Sequence, residues 1–121
     1  MATIRTVAVI DIGKTNAKVA LVDLAALAEI DVLRTANRVM PGPIYPHYDI
    51  DRLWRFILAS LGELGAAQPI DAITVTTHGA GAALIDAAGQ LALPVLDYEH
   101  DGPDRLRADY DSVRPGFAET G

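Results

Sequence analysis

The chain has 121 residues, half of them apolar, with a formal charge of −6 and no cysteine. That length allows one packed domain, and the acidic balance argues against a nucleic-acid partner, whose phosphates call for clustered Lys and Arg. Without thiols there are no disulfides, thiolate metal sites or cysteine nucleophiles, so any chemistry falls to carboxylates, imidazoles, lysines, hydroxyls or a bound cation.

Thr3 to Ile10 is β-branched and apolar on both faces, the pattern of a central strand covered on both sides. Its apolar run ends at Asp11, far short of a signal-peptide core or the roughly 20 residues of a membrane span. The expectation is a cytoplasmic protein with no membrane partner. Asp11-Ile12-Gly13-Lys14-Thr15-Asn16 predicts a tight turn around Gly13, and Ala17 to Asp23 a second strand. A third strand is expected over Glu29 to Val39, with a bulge or a weakly held edge near Leu33, where the alternation begun at Ile30 and Val32 fails. Pro41-Gly42-Pro43-Ile44-Tyr45-Pro46 reads as an extended loop, because proline fixes φ and removes a donor.

Ile50, Leu53, Trp54, Ile57, Leu58, Leu61 and Leu64 recur at helical spacing. Asp49 is the natural N-cap, Gly65 the expected end, and the Trp54 ring is expected to pack on the sheet. Ile70 to Thr77 reads as a strand, followed by His78-Gly79-Ala80-Gly81, short β runs over Ala82 to Ile85 and Leu91 to Leu96, and a turn at Asp86 to Gly89. Beyond Asp97 acidic residues crowd among three arginines and no apolar period emerges.

Gly13-Lys14-Thr15 is not a Walker A loop, since the required glycine five residues earlier is Ala8 and a strand, not a helix, is expected next. The turn can still hold a nucleotide. Its successive N–H groups can form an anion nest, Thr15 and Asn16 can donate, and a lysine can offset phosphate charge. Asp11 would repel a bare phosphate and makes sense beside magnesium, bound through water. The spacing alone supports an ordinary polar hairpin turn equally well.

Val7 to Lys18 resembles the first phosphate motif of the sugar kinase, hexokinase, actin and heat-shock chaperone superfamily, and more narrowly that of the FGGY carbohydrate kinases, with Lys14 where Thr is commoner. The resemblance implies ATP and Mg2+ as cofactors. Asp11 would lie near the metal, Gly13, Lys14, Thr15 and Asn16 would face the phosphates, and Lys18 would take the position of the family's basic residue. His78-Gly79 after a strand is similar to the family's element near the sugar, and Tyr98, Glu99, His100 and Asp101 correspond to its substrate loop. Read from their residue types alone, His78 and the acidic run would be a structural hydrogen-bonder and a solvated loop.

The implied fold is α/β: an incomplete ribonuclease-H-like (actin-like ATPase) domain with a mixed sheet in β-β-β-α-β order. Residues 1–121 would form the N-terminal part of the first of two domains, with the general-base Asp beyond Gly121. The implied activity is ATP-dependent phosphorylation of a sugar or sugar-alcohol hydroxyl. The alternatives are an acetate-type kinase, a chaperone-type ATPase or a non-catalytic structural module. An open sheet edge and an uncovered apolar face lead us to expect association or poor solubility of the segment alone.

Overall fold

The computed structural model describes residues 3–120. Thr6–Ile12 (β1) and Asn16–Asp23 (β2) pair antiparallel across the Gly13 turn, with Ile10 opposite Val19 and Asp11 opposite Lys18. Ala28–Ala36 (β3) pairs antiparallel with β2. The alternation breaks at Ile30 rather than near Leu33: Val22 pairs with Glu29 and Leu21 with Asp31, leaving Ile30 as the extra residue. Val39–Met40 (β4) and His47–Tyr48 (β5) form a two-residue ribbon around the proline-rich loop. Gly42 there has φ +52°, and a Cβ on it would collide with the His47 ring, so a side chain is excluded on both counts.

Ile50–Ala67 (α1) begins as expected, with the Asp49 carboxylate accepting from the Arg52 N–H at 3.1 Å. It runs through Gly65 and ends at Gln68, whose N–H returns to the Leu64 carbonyl. No left-handed residue is needed, because Gln68 leaves the helix in an extended conformation. The buried stripe is Leu53, Ile57, Ser60 and Leu64. These pack on Ile10, Ala17, Val19 and Leu21, with Leu33, Phe56, Leu61 and Ile70 at the margin. Each large apolar side chain sealed here contributes about 1.5–3 kcal/mol. Trp54, expected against the sheet, is instead 58% exposed. It stands about 100° around the helix from Leu53, off the buried stripe.

After α1 the chain crosses back to lay Ala72–Thr77 (β6) parallel to β1, giving the order β3-β2-β1-β6. Asp71 fastens this crossing, its carboxylate accepting from the Arg5 and Thr6 N–H groups at 2.9 Å each. Those donors, Thr6 first, hold the Asp71 carboxyl below the usual carboxylate range. The mixed sheet is the one expected, and its four strands with α1 follow the expected β-β-β-α-β order, into which the β4–β5 ribbon is inserted before α1. The runs Ala82 to Ile85 and Leu91 to Leu96 do not become strands. They make only single bridges, Ile85 to Leu91 and His47 to Leu96. The acidic C-terminal stretch carries helical turns that the charge pattern concealed: a 3-10 turn Gly102–Leu106, then Arg107–Val113 (α2) and Phe117–Thr120 (α3). Leu106, Tyr110, Val113 and Phe117 are exposed along it, so no apolar stripe there is sealed into the core. Among the described residues no helix is long and apolar enough to cross a membrane.

Candidate functional site

Parallel neighbours deliver their C-terminal ends to one edge of a sheet, which is where open α/β sheets place ligands. The Gly13 turn leaves β1 and the His78 segment leaves β6 side by side. Their junction is tied by the His78 N–H to the Ile12 carbonyl at 3.2 Å and by the Thr77 hydroxyl to the same oxygen at 3.1 Å.

The turn is closed by the Gly13 N–H donating to the Asn16 carbonyl at 2.8 Å. A Cβ on Gly13 would lie 2.9 Å from that oxygen, so the turn requires glycine. Asn37, just past β3, braces it from outside: its side chain donates to the Gly13 carbonyl and its N–H to the Thr15 carbonyl, both at 2.9 Å. On the face of the sheet away from α1, Asp11, Lys18 and Arg34 form a row across β1, β2 and β3. The Asp11 carboxylate meets the Lys18 ammonium at 3.2 Å. Arg34 reaches Glu29 only at 3.8 Å, both side chains being well exposed. Asp11, Gly13, Thr15, Asn16, Lys18 and Arg34 line one open depression. A single accessible carboxylate beside donors fits water-mediated binding of magnesium by Asp11, since that ion keeps most of its hydration. Among the described residues no three His, Asp or Glu side chains converge on a direct metal site.

Lys14 faces the other way. Its ammonium sits 2.9 Å from a Glu99 carboxylate oxygen and 3.0 Å from Asp97 Oδ1, with the rings of Tyr98 and Tyr48 at 5.6 and 5.9 Å. The hydrogen bonds to Glu99 and then Asp97 hold the Lys14 ammonium well above its usual range. Asp97 is 8% exposed. Burial alone would raise its carboxyl, but the Lys14 bond, the Glu99 N–H and the Tyr48 hydroxyl outweigh it and keep the group below its ordinary value. Burial, then the Asp97 charge, pushes the Tyr48 hydroxyl up. Backbone pairing brings this segment in: Tyr48 N–H to the Val95 carbonyl at 3.0 Å and Asp97 N–H to the Pro46 carbonyl at 2.9 Å.

The His78 ring lies between Tyr98 at 5.3 Å and Tyr48 at 6.0 Å. Its buried Nδ1 has no partner among the described residues, and it borders an apolar cleft of about 230 Å³ with Ile12, Tyr48, Leu53, Thr77 and Val95. His78, Tyr98 and Glu99 thus converge. His100 stands aside, bonding Asp97 through its backbone and facing Asp101 at 3.9 Å. The Asp101 side chain is almost wholly exposed and Gly79 lies in an open turn, so neither joins the cluster. Sequence reasoning missed Tyr48, Asn37 and Arg34. Only Arg34 left a signal, a cation on the strand expected beside Lys18.

No protein-family model matches the chain, and no curated protein matches it. Solved structures do. A carbohydrate kinase from Novosphingobium aromaticivorans superposes with TM-score 0.79 at 38% identity over 93% of this chain and 24% of its own. A xylulose kinase from Rhodospirillum rubrum gives 0.66 at 26% identity over 89% and 24%. A ligand-bound xylulose kinase from Lactobacillus acidophilus gives 0.74 at 14% identity, a likeness of fold alone, over 95% and 24%. The chain therefore spans about a quarter of the length of these kinases and shares their fold across that span.

Proposed function

We propose that this chain opens the first of two actin-like domains of a cytoplasmic carbohydrate kinase, which transfers the γ-phosphoryl group of ATP to a hydroxyl of a sugar or sugar alcohol. The observation carrying this reading is the adjacency of two dissimilar sites at one sheet edge: a glycine turn flanked by Asp11 and Lys18, and an aromatic and carboxylate cluster around His78. The 38% identity to a solved carbohydrate kinase supports it.

In this reading Gly13, Thr15 and Asn16 present donors to the nucleotide phosphates, and Lys18 offsets their charge. Asp11 would hold a hydrated magnesium ion, which would supply charge neutralisation of the phosphates. Tyr98 and His78 offer ring faces, and Glu99 offers acceptors for adjacent hydroxyls; Gly79, His100 and Asp101 border that side. The general base lies outside residues 1–121. Positioning of both reactants supplies much of the rate, so the segment alone is inactive. The test is an ADP-release assay over a sugar and polyol panel, run on the 121-residue chain and on the longest polypeptide its reading frame encodes. Turnover by the longer polypeptide alone is expected; none by either overturns the enzyme class, and turnover by the short chain overturns the division of labour.

A further inference from the structure

Resting on that reading, we propose that Lys14 is a specificity-determining residue of the substrate side, and that the site it shares with Asp97 and Glu99 selects uncharged polyols and sugars over sugar acids. A lysine free beside a sugar site would attract a carboxylate. This one is not free: two of its three N–H donors are taken by Asp97 and Glu99, at 3.0 and 2.9 Å. One ammonium against two carboxylates leaves the cluster with one negative charge at neutral pH. Among the described residues of the cluster there is no second cation, since its other members are Tyr48, His78 and Tyr98.

The chemistry that remains suits a neutral polyhydroxyl ligand. The third Lys14 N–H can donate, Glu99 and Asp97 can accept, the partnerless Nδ1 of His78 can serve either role by tautomer, and the tyrosine rings can cover C–H surface. An aldonate would add its carboxylate to a cluster that is net negative and has no unpaired cation among the described residues to receive it, an interaction disfavoured by like charge. Glu99 is the adjustable member, because its side chain is 60% exposed and no other bond depends on it among those described.

The polypeptide that the reading frame encodes is titrated by calorimetry with xylitol and D-xylulose as neutral probes and D-gluconate and D-xylonate as anionic ones. The unsubstituted protein is expected to bind the neutral probes at least about tenfold more tightly. Glu99→Gln, which releases one lysine donor and removes the net charge, is expected to cut that preference about fivefold or more, and Glu99→Lys to reverse it; unchanged circular dichroism confirms that each is folded. Aldonates bound as tightly as the neutral probes by the unsubstituted protein, or a preference unmoved in both variants, overturns the assignment while leaving the kinase reading intact. Binding of no probe by any of the three proteins overturns the assignment, and absence of turnover across the ADP-release panel overturns the kinase reading with it.

Discussion

Asp11 and Lys18 stand directly opposite each other on β1 and β2, and their charged groups meet at 3.2 Å on the face of the sheet that α1 does not cover. The pair is more than a third exposed on both sides, so solvent screens it and it adds little to stability. Its value lies in setting a carboxylate and an ammonium at the rim of the Gly13 turn.

The sign of one substitution separates a metal-binding Asp11 from one that merely restrains Lys18. If Asp11 holds hydrated magnesium, Asp11→Ala weakens Mg-ATP binding about tenfold or more, worth ~1.4 kcal/mol. Were restraint its only task, the same change would free Lys18 and tighten binding. A fluorescent-nucleotide titration at several magnesium concentrations reads the direction.

Two neighbouring faces of α1 should respond very differently. Leu64 is 2% exposed, and Leu64→Ala is expected to cost about 2–5 kcal/mol through lost burial and the cavity left behind. Trp54→Gln, at a largely solvated position, should stay within about 0.5 kcal/mol. Urea unfolding followed by circular dichroism compares them.

Acid should loosen the Lys14 and Asp97 contact. The Asp97 carboxyl is held below its ordinary range in the folded state, so its contribution is present above about pH 4 and is lost as pH falls through the folded value. Lys14, raised by its partners, stays charged throughout that window. Stability measured by urea unfolding from pH 7 to 3 should therefore fall less steeply for Asp97→Asn than for the unsubstituted chain. Equal slopes would remove Asp97 from the acid response.

The sheet, the helix and the Gly13 turn were legible in the sequence because each is dictated locally: apolar runs around a glycine, and leucines at helical spacing begun by Asp49. The positions of Trp54 and Ile30 were not, since one turns on which stripe wins the burial and the other on the register of a partner strand. Likewise, the substrate side could be read as residue types at His78, Tyr98 and Glu99, but the role of Tyr48 depends on the bond from its hydroxyl to Asp97, 49 residues away. The direction of Lys14 was equally hidden, because its partners lie 83 positions away at Asp97 and beyond.

Among the described residues the outer edge of β6 has no neighbour in the sheet, and Ile73 and Val75 on that strand are 56% and 61% exposed. An open apolar edge invites pairing with another copy. The 121-residue chain is expected to associate at micromolar concentration, and Ile73→Lys with Val75→Lys to return it to a monomer. Multi-angle light scattering decides; a clean monomer before substitution contradicts the expectation.

The partner that β1 finds in parallel register is distant: Val7 pairs with Ala72. On a ribosome adding roughly 5–20 residues each second, the β1 to β3 meander emerges and can pair at once, while the other flank of β1 waits roughly 3–13 seconds for β6 to be made. A nascent-chain chaperone would meet this protein with half of its central strand still bare, and a translational pause between α1 and β6 would prolong that interval.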